Sequence, residues 1–166
     1  SDELRILHER LPRVVAHKPH LAARISALLA ACERLGASLP DAPLVGSHRD
    51  FYPDQILVDG DRVCVIDFDL YCMADPGLDI GNFLGHITEH SLRTYRDASA
   101  LLPLERALED AYAQLACEAV RERVRVYATL TLARHVHLST LFPERQLLTE
   151  PLLSLCEQRL GMGATA

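Results

Sequence analysis

The chain has 166 residues, 49% of them hydrophobic, which is enough for one core and too much for a disordered tail. Its formal charge is -6, from 17 basic against 23 acidic residues, and Lys18 is the only lysine, so no basic cluster marks a nucleic-acid face. No run approaches the roughly 18 apolar residues of a membrane span, and the opening stretch SDELRILHERLP lacks the basic start and apolar run of a secretory signal; a soluble, cytoplasmic protein without a membrane or nucleic-acid partner is expected.

In chain order, LRILHERL reads as a short helix. Leu21, Ile25, Leu28, Leu29, Cys32 and Leu35 then recur at spacings of three and four, the face of a core-packed helix with Pro19 near its start and Gly36 near its end. GASLPDAP breaks this pattern into a loop. QILV and RVCVID are short strands, and Asp59 and Gly60 between them suit a tight turn. Two strands alone bury too little to be stable, so this ribbon is expected to lie on a helical body.

Helical spacing resumes in DIGNFLGHITEH, through Ile80, Phe83, Leu84 and Ile87, and again at Leu104, Leu108, Ala111, Tyr112 and Leu115. Further helices are expected over Arg121 to Leu141 and from Pro151 through Leu160. The fold class is therefore mainly α with a small β-hairpin, in a single domain over residues 1–166. Cys32, Cys64, Cys72, Cys117 and Cys156 are odd in number, widely spaced and without a CxxC pair, a pattern of reduced core thiols.

The chemistry concentrates between His48 and Asp79. Asp50 lies on the loop before the first strand and Asp67 at the end of the second, beside Asp69; a hairpin brings such positions to one end of the ribbon, in one polar pocket. A phosphoryl donor carries several negative charges, which divalent ions on oxygen ligands neutralise while another oxygen orients the attacking hydroxyl. Asp67 would be the metal ligand, Asp50 the base or orienting group, and Gln55 a neutral oxygen ligand, although spacing alone fixes none of these roles. Asp54, Asp59 and Asp61 read as turn formers. Asp50 and Asp67 differ because each adjoins an apolar strand or an aromatic pair, where an unpaired charge is costly.

The run His48-x-Asp50, then Gln55, a hairpin, IDFD and DPGLD resembles the aminoglycoside phosphotransferase and choline kinase family, whose fold is related to that of protein kinases. That resemblance implies the helical C-lobe of a protein kinase-like fold. It makes Asp50 the catalytic aspartate, Asp67 the magnesium-binding aspartate, His48 the brace of the catalytic loop and Asp79 the acid that holds the loop's backbone. Asp75 and Pro76 match the turn before the next helix. Two positions depart from the pattern: Gln55 stands where Asn is usual, and Arg49 where glycine is more common, so Arg49 is expected in a structural or substrate-side ion pair. Asp69 takes the place of the glycine in the protein-kinase DFG, to hold a second ion or receive an arginine.

The resemblance further implies ATP as donor, Mg2+, and a small polar acceptor such as a sugar, an aminoglycoside or an amino alcohol. No Gly-rich loop or strand-borne lysine is present, so a nucleotide-gripping N-terminal lobe of a longer parent is the expected partner, and the chain alone is expected to transfer phosphate poorly or not at all. The rival reading is a noncatalytic kinase-like binding or regulatory module, which the retention of Asp50 and Asp67 opposes. HITEH formally fits an HxxEH zinc signature, but without an independent third ligand His86 and His90 are expected as surface histidines that could border the acceptor. His135 and His137, two apart on a helix, point to different faces. No GxSxG accompanies Ser47 and His48, which leaves a covalent hydrolase without support.

Overall fold

A computed structural model describes residues 2–163. Among them the three- and four-residue apolar spacings fold into six helices: α1 Asp2–His17, α2 Ala22–Ala37, α3 Leu78–Tyr95, α4 Leu102–Leu115, α5 Val120–Leu141 and α6 Thr149–Arg159. Four short strands lie between α2 and α3: β1 Val45–Ser47, β2 Ile56–Asp59, β3 Arg62–Val65 and β4 Cys72–Ala74. The fold is mainly α with a small β element.

Helix α5 is the axis. It is buried along almost its whole length, and α1, α3 and α6 pack around it. A helix wrapped on all sides must satisfy its polar side chains internally, and it does so by back-bonding: Thr129 donates to the Arg125 carbonyl, Ser139 to Val136 and Thr140 to His137. The main core joins Leu7, Leu11 and Val14 of α1, Ile25 and Leu28 of α2, Leu130 and Val136 of α5, and Leu152 and Leu153 of α6. Helix α1 is longer than its sequence suggested, because Leu7, Leu11 and Val14 continue one buried stripe past Pro12. A smaller core of Leu84, Ile87, Ala113, Val120 and Val124 seats α4 against α3 and α5.

Two glycines allow α3 to approach α5 closely. A Cβ on Gly81 would sit 2.4 Å from the Tyr127 Cβ, and one on Gly85 would sit 2.6 Å from the Thr131 Cγ2, so only hydrogen fits at either place.

Strands β2 and β3 form the hairpin in the register Ile56↔Val65 and Asp59↔Arg62, turning at Gly60 with a left-handed φ of 57°. A second ribbon was not legible: β1 and β4 pair antiparallel with Val45 opposite Ala74 and Ser47 opposite Cys72. Strands of three residues are too short to show an alternating pattern. The hairpin also departs from expectation in its setting. It does not lie on the helical body; Leu57, Val58, Val63 and Val65 are all exposed, Val58 by 69%. The chain between β1 and β4 carries it outward instead. Cys32 and Cys156 are core thiols as expected, whereas Cys64 and Cys117 are exposed.

Candidate active site

The loop after β1 is fixed from beneath by α3. Asp79, in the first turn of that helix, accepts hydrogen bonds from the backbone N–H groups of His48, at 2.7 Å, and Arg49, at 2.8 Å. One carboxylate thus holds two consecutive peptide groups with charge-assisted bonds. The His48 ring packs beside Phe68, with centroids 4.8 Å apart, and its Nε2 lies 2.7 Å from the Ile66 carbonyl oxygen. These contacts bind the Asp50 loop to the chain that leaves β3.

A second tie runs along the same edge. The Ile66 N–H donates to the Gln55 carbonyl at 3.0 Å, and the buried Gln55 side chain donates through Nε2 to Asp67 Oδ2 at 3.2 Å. Its Oε1 takes no part in that bond. Asp67 and Arg49 both have left-handed backbones, with φ of 63° and 73°. A non-glycine residue at such angles carries a steric cost that the surrounding bonds must hold in place.

Tyr52 reports the local charge. Burial and then the carboxylates of Asp50, Asp54 and Asp67 raise the pKa of its hydroxyl, so Asp50 and Asp67 act on one group from separate parts of the sequence. The His48–Ile66 and Gln55–Asp67 contacts place the Asp50 loop beside the turn that leaves β3. The carboxylates are not in a closed pocket, however: Asp67 and Asp69 are exposed and Asp50 is half-buried. Nothing among the described residues covers the outer side of the ribbon. Asp69 has no ion pair among those residues, and Arg49 pairs with Asp2 at 2.9 Å.

Two clefts flank the loop. One of about 330 Å³ is lined by His48, Phe51, Phe68, Tyr71, Asp79 and Tyr112. The other, of about 320 Å³, lies between Arg49, β4 and α5. Asp50, Gln55 and Asp67 line neither.

The model of the phosphotransferase enzyme family matches residues 1–126, about three quarters of the chain. The chain belongs to that family. No curated protein and no solved structure matches it. Membership in that family points to phosphotransferase chemistry in general, and the matched range includes the Asp50 loop, the hairpin and Asp79.

Several supports of the site left no trace in the sequence pattern. Arg123 of α5 pairs with Asp75 and donates to the Pro40 carbonyl, and Tyr112 of α4 donates to the Pro76 carbonyl at 2.6 Å. Together they hold the Asp75-Pro76 turn that launches α3. Such partners lie dozens of residues away, and only the packing of α4 and α5 brings them in. The two histidines of HITEH also separate: His90 is exposed, with Nδ1 3.2 Å from Arg93, whereas His86 turns inward, a correction to the surface position expected for both. On α5, His135 and His137 are both buried.

Proposed function

We propose that this chain is the acceptor-side catalytic lobe of an ATP- and magnesium-dependent phosphotransferase that acts on a hydroxyl of a small polar molecule. The observation that carries the reading is the double tie at one end of the ribbon: Asp79 clamps the peptide groups leading to Asp50, and Gln55 bonds to Asp67 across the hairpin. The oxygen donors left there suit a hard cation, since Asp67 is exposed and Gln55 retains its Oε1. Asp67 and Gln55 would hold Mg2+, with Asp69 in reach of a second ion. When bound, the ion neutralises charge on the donor phosphates.

The remaining work belongs to this chain's own residues. Asp50 accepts the proton of the acceptor hydroxyl and aims its oxygen at the terminal phosphate. His48 and Asp79 keep the loop rigid, and Arg49, through Asp2, ties it to α1. Positioning is most of the catalysis in such a transfer, which is why a bonded loop matters more than a strongly basic group.

A nucleotide-gripping segment of the same polypeptide completes the enzyme in this reading. Its support is the row of exposed apolar side chains on the ribbon and the chain that follows it, among them Val58, Val63, Phe68, Leu70 and Tyr71. An apolar surface of that kind is normally covered. The setting is cytoplasmic, where ATP is at hand and free thiols stay reduced.

The test is transfer of phosphate from ATP to a panel of sugars, amino alcohols and aminoglycosides by the chain joined to its nucleotide-gripping lobe. Asp50→Asn should lower turnover by roughly 10²–10⁴-fold with folding unchanged. Unchanged turnover would remove Asp50 from its role.

A further inference from the structure

Beyond Asp79, the Asp50 loop is held at a second point. Its next two residues, Phe51 and Tyr52, each meet a side chain of α3. The Phe51 carbonyl accepts a hydrogen bond from Asn82 Nδ2 at 2.9 Å, and the Tyr52 ring stacks on His86 with centroids 4.6 Å apart and planes 18° from parallel. Asn82 and His86 are four apart and so lie on one face of the helix.

Both are supported from behind by α5. Asn82 is 2% exposed, and its Oδ1 accepts from Arg134 at 2.6 Å and from Thr131 at 3.3 Å, which fixes the amide so that Nδ2 must point at the loop. His86 meets the edge of His135 with centroids 4.6 Å apart. Neither His86 Nε2 nor His135 Nε2 has a hydrogen-bond partner among the described residues. Burying such nitrogens unpaired has a cost, which the flat stack of His86 under Tyr52 offsets in part. The close approach at Gly81 and Gly85 lets this second row on α5 reach α3.

We propose that Asn82 and His86, backed by Arg134 and His135, are positioning residues that set the direction of the catalytic loop between Asp50 and Gln55. The proposal rests on the reading of that loop as the phosphotransfer loop. Asp79 fixes the peptides before Asp50, and Asn82 and His86 fix those after it, so the carboxylate is held on both sides. None of the four touches the reacting atoms; they act through Phe51 and Tyr52.

The test is amide hydrogen exchange of the chain as it stands, in five variants. His86→Ala should speed exchange across residues 50–55 by about tenfold while amides of α6 keep their wild-type rates. His86→Phe preserves a flat ring and should restore protection. Tyr52→Ala removes the stack from the loop side, without opening the core, and should release the same amides even if His86→Ala fails to fold, while Tyr52→Phe should not. Leu152→Ala, a core cavity far from the loop, should leave the contrast between loop and α6 absent. The proposal is overturned if residues 50–55 exchange at wild-type rates in both His86→Ala and Tyr52→Ala, or if His86→Phe releases them as fully as His86→Ala. Exchange and phosphate transfer fail separately: a neutral Asp50→Asn result sinks the functional reading and leaves the loop contacts standing, whereas flat exchange sinks the positioning whatever Asp50 does.

Discussion

Arg49 stands where the resembled family more often has glycine, and its φ of 73° gives the physical reason for that preference. A side chain at this angle costs about 1 kcal/mol, and its ion pair with the largely exposed Asp2 returns no more than about that. Arg49→Gly is therefore expected to change stability by less than about 1 kcal/mol in thermal denaturation. Arg49→Val, which puts a β-branched residue in the same region and loses the pair, should cost about 2 kcal/mol. Asp79 is a harsher case, because its two oxygens satisfy two backbone donors. Asp79→Asn leaves one of them without an acceptor and should destabilise the chain by about 2 kcal/mol, measured by urea midpoint. Asp50, Gln55, Asp67 and Asp79 were visible as candidates through the run from His48 to Asp79 and its resemblance to the family. The residues that hold them were not: Asn82 looks like any polar residue in a helix, and its role follows from the Arg134 and Thr131 side chains that α5 supplies.

The helices were readable from their stripes, since a periodic apolar face is a direct record of burial. Leu21 through Leu35 gave α2 to within two residues at each end, and the range read for α5 began one residue late. What the stripes could not give is the closeness of α3 to α5, which depends on absent side chains. Gly81→Ala would force a Cβ against Tyr127 and the Val124 carbonyl, and a loss of about 2 kcal/mol is expected in chemical denaturation. The β1–β4 ribbon is illegible for a different reason: three residues are too few for an alternation, and the pairing spans a long stretch of chain. It matters to the site, because it sets the base from which both the Asp50 loop and the hairpin project.

For the molecule as a whole, buried histidines couple stability to pH. Burial, reinforced by the nearby charges of Arg134 and Arg145, lowers the pKa of His86 to about 4, and burial places that of His135 well below its ordinary value. Each stays neutral when folded and takes up a proton when unfolded below about pH 6.5. Their contribution is fully present above that pH and is lost as the pH falls from about 6.5 towards 4, because the unfolded chain then binds more protons. Urea midpoints should fall between pH 7 and pH 5, and more shallowly in His86→Phe; equal slopes would contradict this.

In the proposed function the Asp50 loop and the Asp67 turn form one cation and phosphate site at the open end of the ribbon. Titrating the labelled chain with Mn2+ in the presence of ATP tests it most directly, because the ion's unpaired electrons broaden the signals of nearby nuclei. Residues around Asp50, Gln55 and Asp67 should broaden together at substoichiometric ion, and Asp67→Asn should abolish the effect. Broadening at only one of the two segments, or centred elsewhere on the helices, would contradict it.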